Sequence, residues 1–111
     1  MKKTKSTVEQ EIFSGYCFFC GAPVNGCEHH LLFGNALRQL AEEDGLKVHV
    51  CNNCHTTGER LRRIHDNPMA EKLSKMLGQA LFERNVIANK EVETIDEARE
   101  KFRKRYGFSF W

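Results

Sequence analysis

Two cysteine pairs of identical spacing constrain the fold of this chain more than any other feature. Cys17 and Cys20 form one Cys-x-x-Cys pair, and Cys51 and Cys54 form the second. Four thiolates can complete the tetrahedral shell of a structural zinc ion, and two matched pairs are much rarer by chance than one. We therefore expect a structural Zn²⁺ held by these four residues. The segment between the pairs is long enough for two strands and a short helix.

Other uses of the cysteines fit the sequence less well. The stretch from Cys51 to His55 reads Cys-Asn-Asn-Cys-His, which also satisfies the attachment pattern of a c-type haem. A haem would require export and would leave the other pair unused, and a dithiol redox role is typical of a thioredoxin-like context that the sequence lacks. Cys27 is a fifth thiol, which we expect to be a small buried residue or a spare beside the zinc. A role for Cys27 as a ligand is the less favoured alternative.

The size of the chain predicts a single domain over residues 1–111. With 111 residues, of which 41% are hydrophobic, the chain is long enough for one modest core but not for two. It has no apolar run long enough for a signal peptide or a membrane span, so we expect a cytoplasmic protein with no membrane partner. The net charge of +2 neither requires nor excludes a nucleic-acid partner.

The spacing of apolar residues predicts an α+β fold, with a metal-binding core over about 16–67 and C-terminal helices over about 68–107. Short strands are expected near 27–33 and within 46–50, with a helix over 36–44 between them. Asn67 and Pro68 predict the start of the next helix, and Thr94 and Glu97 predict a capping box for the last. The apolar stripe of the first C-terminal helix comprises Leu73, Met76, Leu77, Ala80 and Leu81. We expect residues 108–111 to fold back over apolar surface, with a partner-docking tail as the alternative.

If four thiolates bind the structural zinc, the histidines are left without a role in that site. His29, His30 and His55 adjoin the cysteine elements, and His65 follows shortly after. A hydrolytic metal site needs a few protein ligands with open positions, together with a neutral imidazole that accepts a proton from water near pH 7. Adjacent histidines can divide those two roles. Taken alone, a His-His pair is more often ordinary surface or core histidine.

The surrounding residues resemble the HNH endonucleases, the ββα-metal or His-Me finger family. The resemblance rests on Cys27-Glu28-His29-His30-Leu31, then Asn35, then the stretch from Val48 to His55. It extends over roughly residues 16–67 and is closest in pattern to phage-type members, including phage recombination-associated nucleases. It implies a small zinc-stabilised ββα-metal core with flanking and C-terminal α-helices.

The resemblance implies a role for each histidine. His29 becomes the first ligand of a catalytic metal, at a position where many family members have aspartate, and His30 becomes the general base. His55 and His65 are the best candidates for the remaining ligands. Asn35 resembles the residue that orients the base, although a simple helix cap explains it equally well.

The segment after His55 departs from the family pattern. Thr56 stands where the family has an asparagine that can contact the metal. Glu59 is therefore a reserve ligand. Ten positions on a straight helix would turn His55 and His65 away from one another, so the chain is expected to break near Gly58.

The activity implied by the resemblance is metal-dependent hydrolysis of DNA phosphodiester bonds by a phage or prophage protein. The catalytic divalent metal would be Zn²⁺, Mn²⁺, Ni²⁺, Co²⁺ or Mg²⁺, and histidine ligands favour the first four. Arg60, Arg62 and Arg63 are candidates for holding phosphates beside the scissile bond, with a solvated helix face as the alternative.

Two further hypotheses stay open at the level of sequence. One is a non-catalytic, zinc-stabilised nucleic-acid-binding module accessory to recombination or packaging. The other is a nuclease that acts only beside a recombinase or packaging partner. The sequence predicts neither the oligomeric state nor the base preference, because phosphate contacts position a protein without reporting which bases it reads.

Overall fold

A two-stranded antiparallel sheet, three α-helices and two short helical turns are the regular elements in the described part of the chain. The computed structural model describes residues 6–8, 15–24, 27–34, 36–57 and 63–111. In chain order the elements are β1 (Glu28–His30), α1 (Leu37–Asp44), β2 (Lys47–His49), a π-helical turn (Asn53–Thr57), a 3₁₀ turn (Ile64–Asp66), α2 (Pro68–Ala88) and α3 (Ile95–Tyr106). The predicted α+β class is confirmed.

Pairing in the two-stranded sheet determines to which side the side chains of His29 and His30 point. β1 and β2 pair antiparallel, with His29 opposite Val48 and His30 opposite Lys47. The ladder continues beyond the strands, because the Val50 amide donates to the Cys27 carbonyl at 3.0 Å. Successive side chains of a strand point to opposite faces of the sheet, so His29 and His30 face different neighbours.

Helix α1 joins the strands and ends where the sequence predicts. Gly45 follows it with φ of 69°, a left-handed conformation that glycine adopts without steric cost, and its amide donates to the carbonyls of Ala41 and Glu42. The helix buries Ala41 among apolar residues of the neighbouring elements. The prediction that Asn35 caps this helix falls outside the described residues.

The two C-terminal helices begin at the predicted residues. The Asn67 side chain accepts hydrogen bonds from the amides of Met69 and Ala70, with Pro68 in the first turn. Thr94 and Glu97 form the reciprocal capping box at the start of α3. The larger apolar core, where these helices meet the sheet and α1, contains Leu32, Ala41, Leu46, Phe82, Val86, Ala98, Phe102 and Tyr106.

The buried face of α2 agrees only in part with the predicted apolar stripe, because Leu77 and Leu81 pack against buried apolar residues but Leu73 does not. Leu73 is 57% exposed. The residues of α2 that are fully buried are instead Ser74, Gly78, Gln79, Phe82, Glu83 and Val86. Several of these are polar or lack a side chain because they meet specific partners from distant segments.

Two of those partners explain why polar and small residues are buried there. A Cβ placed on Gly78 would lie 2.9 Å from Cγ of Leu32, so only glycine lets the helix approach the end of β1 this closely. Gln79 holds the C-terminal segment, because its Oε1 accepts from the Phe110 amide at 2.6 Å. Phe110 packs against the larger core, which agrees with the expected fold-back, while Phe108 and Trp111 stay exposed.

Candidate metal centres

The four cysteines of the two Cys-x-x-Cys pairs lie together and form what we call the cysteine cluster (Cys17, Cys20, Cys51 and Cys54). Their sulfur atoms all lie within 4.8 Å of one another. The five cysteines are all in the described part of the chain, and none forms a disulfide. Four close thiols from two loops fit a structural metal such as zinc, as the spacing predicts.

Local backbone hydrogen bonds shape both loops of the cysteine cluster. The Gly21 amide donates to the Cys17 carbonyl at 2.8 Å, and Gly21 has φ of 80°, which favours glycine. In the second loop the amides of Cys54 and His55 both donate to the Cys51 carbonyl, at 3.1 and 3.0 Å. Each pair of thiols is thereby turned towards the other pair.

The Cys20 thiol is suited to bind a cation as a thiolate. A backbone hydrogen bond from Ala22, followed by the Cys51 thiol 3.6 Å away, lowers the pKa of Cys20 to about 6. Metal binding requires deprotonated sulfur, so a lowered pKa favours the binding form near neutral pH.

Three histidines from separate elements form a second group, the histidine cluster (His29, His55 and His65). One ring nitrogen of each lies within 4.8 Å of the others, and Nε2 of His65 is 2.8 Å from Nε2 of His55. His29 comes from β1, His55 from the π-helical turn directly after Cys54, and His65 from the 3₁₀ turn. The structure therefore brings together the three residues that the sequence proposes as ligands of a second metal.

Two separate helical turns allow the approach of His55 and His65. A single straight helix would direct these side chains apart, and the structure places them instead in the π-helical turn and the 3₁₀ turn. Gly58, where the break was expected, and the reserve ligand Glu59 lie outside the described residues.

The three clustered histidines are held in the neutral form. Burial, and secondarily the positive charges that His65 and His55 would carry, lowers the pKa of His29 to about 3. Burial also lowers the pKa of His55 and of His65. Neutral imidazole is the form that binds metal, so this donor set fits a divalent ion.

One nitrogen of the histidine cluster lacks a partner among the described residues. Nδ1 of His29 is buried and accepts no hydrogen bond there, whereas Nε2 of the same ring lies 2.9 Å from Oγ of Ser74. Buried polar atoms are nearly always paired, so an orphaned ring nitrogen beside two other imidazoles fits a ligand of a metal ion.

His30 lies on the other face of the sheet, in a buried charge network. Its Nε2 is 2.9 Å from Oε1 of Glu42, and Oε2 of Glu42 accepts from Nζ of Lys47 at 2.8 Å. Lys47 Nζ is also 3.2 Å from a carboxylate oxygen of Glu28. Burial opposes the charge of Lys47, but the hydrogen bonds to Glu42 and Glu28 outweigh it and raise its pKa.

Sequence reasoning did not find Glu42, Lys47 or Ser74. Lys47 lies on the face of β2 opposite Val48, yet it is only 2% exposed, because two carboxylates from other segments cover it. For Ser74 a weak signal exists: Ser74 and Gly78 are four residues apart, which marks a narrow helix face suited to close packing.

The structure does not test the predicted phosphate contacts. Arg60 and Arg62 lie outside the described residues, as does Asn35. Arg63 lies in the described part, where its Nε is 3.1 Å from an Asp66 carboxylate oxygen and its Nη1 donates to the Thr56 carbonyl at 3.3 Å. Its side chain thus links the two turns that carry His55 and His65, and contact with phosphate stays a prediction.

The fold and the two clusters define a small α+β protein with four cysteines positioned to hold a structural metal such as zinc. The chain matches no protein-family model, no curated protein and no solved structure. Within the described ranges, no helix has the length and apolar character needed to cross a bilayer.

Proposed function

We propose that this chain is a metal-dependent DNA endonuclease of the HNH type, encoded by a phage or prophage. The observation that carries the proposal is the histidine cluster, in which three neutral imidazoles from separate elements converge beside the cysteine cluster. A structural site would need no second group of ligands, whereas hydrolysis of a phosphodiester needs a metal with positions open to substrate.

The histidine cluster would hold the catalytic ion, and three protein ligands leave room for a phosphate oxygen. A divalent metal there would polarise the phosphate and stabilise the leaving oxygen. Imidazole donors favour Zn²⁺, Mn²⁺, Ni²⁺ or Co²⁺ over Mg²⁺, which prefers oxygen ligands. The cysteine cluster holds the loop that ends in His55, so a structural Zn²⁺ would also fix one catalytic ligand in place.

His30 is the proposed general base, and its contacts specify how it would work. The Glu42 carboxylate accepts hydrogen bonds, so Nε2 of a neutral His30 carries the ring proton and Nδ1 carries the lone pair. Nδ1 is therefore the atom that would take a proton from the attacking water. Glu42 would hold the ring and stabilise the charge that it gains, and Lys47 donates to the other carboxylate oxygen of Glu42.

Plasmid nicking in the presence of each divalent metal tests this function. Protein loaded with one equivalent of Zn²⁺ is expected to nick supercoiled DNA when a second metal is added. Replacing the base, His30→Ala, should lower the rate by about 10²- to 10⁴-fold. His49→Ala provides a matched control, because His49 lies in β2 but belongs to neither cluster.

A second candidate function is a non-catalytic nucleic-acid-binding module stabilised by zinc. It is favoured by the position of His30, which is only 7% exposed and bonded to Glu42 on the sheet face away from His29. A histidine so placed can serve stability alone. If zinc-loaded wild-type protein retards DNA in gels but never nicks it with any of the five metals, this candidate replaces the nuclease.

A further inference from the structure

Ser74 of α2 makes two hydrogen bonds, one to the residue that follows β1 and one to His29 of the histidine cluster. Its Oγ donates to the backbone carbonyl of Leu31 at 2.9 Å and lies 2.9 Å from Nε2 of His29. Both contacts are buried, with Ser74 3% and His29 1% exposed. No sequence motif assigns a role to Ser74, and the proposed hydrolysis does not use it directly.

We propose that Ser74 is a positioning residue that makes His29 bind the second metal through Nδ1 rather than Nε2. The inference rests on the proposed metal site at the histidine cluster, and it specifies which atom binds there. It follows from counting the protons in the two hydrogen bonds.

A serine hydroxyl has a single proton. The Leu31 carbonyl can only accept, so the Ser74 proton is used in that hydrogen bond. The contact with His29 can then form only if Nε2 of His29 donates its own proton to the serine oxygen. A neutral imidazole has one N–H, and Nδ1 must therefore carry the lone pair.

The orphaned nitrogen of the site is that same atom. Nδ1 of His29 is buried and has no hydrogen-bond partner within the described ranges. A metal ion in the histidine cluster would satisfy it without disturbing Ser74 or Leu31. Binding through Nε2 would instead break the contact with Ser74 and leave a buried Nδ1–H without an acceptor, which costs free energy.

The other two imidazoles present their Nε2 atoms. Nε2 of His55 and Nε2 of His65 face each other at 2.8 Å, while Nδ1 of His55 lies 3.5 Å from Sγ of Cys27. The site is thus a mixed set, with one Nδ1 ligand from the strand and two Nε2 ligands from the turns. Outer hydrogen bonds of this kind commonly orient histidine ligands.

The first experiment reads the His29 tautomer directly. Long-range ¹H–¹⁵N spectra of zinc-loaded protein labelled in histidine are recorded before and after adding a second equivalent of Zn²⁺. The expected result is an Nε2–H tautomer of His29 in both states, with the Nδ1 resonance moving on metal addition. Loss of the proton from Nε2 on metal addition would overturn the proposal.

The second experiment measures affinity for the second metal by titrating Co²⁺ into protein whose cysteine cluster holds zinc. Ser74→Ala should weaken Co²⁺ binding about 10- to 100-fold, and Ser74→Thr, which keeps the hydroxyl, should restore most of it. Ser109→Ala is the matched control, since that hydroxyl also takes part in two hydrogen bonds but accepts both of them, from Gln79 and the Trp111 amide, away from the histidine cluster. One retained equivalent of zinc shows that each variant is folded.

The outcomes separate this proposal from the proposed nuclease. Wild-type protein that binds no second metal overturns both. Wild-type protein that binds a second metal and nicks DNA, while Ser74→Ala binds Co²⁺ with unchanged affinity, overturns only the role of Ser74. The role of Ser74 is supported if wild-type protein nicks DNA and has the Nε2–H tautomer of His29, while Ser74→Ala binds Co²⁺ more weakly than wild type.

Discussion

The cysteine cluster and the histidine cluster are neighbours in the chain at Cys54 and His55, yet they are built in opposite ways. The cysteine cluster takes its donors from two short loops, each closed by its own backbone hydrogen bonds. The histidine cluster takes one donor from each of three elements and depends on Ser74 of a fourth. The first is local in construction, and the second exists only when the tertiary structure is complete.

Because of this difference, we expect the loss of metal from one cluster to have other effects than its loss from the other. A metal held by two loops joins segments that a small core cannot hold together alone, so its loss should affect the whole fold. The histidine cluster draws on elements that are already packed, so its loss should affect the chemistry and leave the fold intact.

The largest effect is expected from a ligand of the cysteine cluster. Cys54→Ser removes a buried thiol, and structural zinc in small domains contributes about 10–16 kcal/mol of apparent binding free energy. We expect the variant to lose zinc and cooperative unfolding together, as measured by metal analysis and circular dichroism. Cys27→Ser is the control, because Cys27 lies outside the cluster. A folded, zinc-free Cys54→Ser would contradict the structural role.

Loss of a histidine ligand should abolish the second metal but not the fold. His65→Ala removes a half-buried donor from the 3₁₀ turn. We expect the metal content at saturation to fall from two equivalents to one and nicking to fall by at least about 10²-fold, because most of the metal's effect on the phosphate is lost. Thermal unfolding should stay cooperative. Unfolding of His65→Ala would show that both clusters are structural.

A substitution in α2 should change the metal affinity of the histidine cluster through packing alone, without removing a ligand. Gly78→Ala places a methyl group 2.9 Å from Cγ of Leu32 and 3.1 Å from Cβ of Leu31. Alanine favours a helix by about 1 kcal/mol over glycine, but overpacking costs about 1–3 kcal/mol, so the net effect is a loss of stability. Urea unfolding measures that loss.

The same variant separates the two clusters. Displacing Leu31 moves the strand end that positions His29, so affinity for the second metal should fall while the cysteine cluster keeps its zinc. Gly15→Ala is a suitable control, since an added methyl there meets nothing within 4 Å. Equal loss of both metals in Gly78→Ala would indicate that the clusters are not independent.

The elements differed in how far the sequence could predict them. The cysteine cluster follows from spacing, and the starts of α2 and α3 follow from capping residues whose hydrogen bonds span only a few positions. The burial of Lys47 could not be predicted, because its carboxylate partner Glu42 comes from α1. Periodicity likewise predicted that Leu73 is buried, but the structure buries Ser74 and exposes Leu73. The periodic pattern could not show this, because the hydrogen-bond partner of Ser74 is a histidine from β1.

Acid should weaken the fold through His29 when no second metal is bound. The folded chain lowers the pKa of His29 from 6.5 to about 3, so between those values the unfolded chain binds a proton that the folded chain excludes. The contribution of neutral His29 to the free energy of unfolding is therefore fully present above pH 6.5 and is lost as the pH falls towards 3. About 2 kcal/mol of it is lost at about pH 5.

The difference in free energy of unfolding between wild type and His29→Asn isolates this contribution. Groups that are unchanged between the two proteins cancel in this difference. The slope of stability against pH should be shallower in His29→Asn. Identical slopes would show that His29 titrates normally. Added Co²⁺ should raise the wild-type stability without flattening its slope, because a bound metal keeps the imidazole deprotonated in the folded chain while the unfolded chain still gains the proton.

The smallest effect is expected at the link between the two histidine-bearing turns. Asp66→Asn removes the exposed partner of Arg63, and such surface pairs contribute about 0–1 kcal/mol, so stability should hardly change. Removing the carboxylate leaves Arg63 available for phosphate, and DNA affinity should rise, with a salt dependence steeper by about one ion. Arg63→Ala in the same background should reverse the gain. If Asp66→Asn leaves affinity and its salt dependence unchanged, Arg63 serves only to tie the turn of His55 to that of His65.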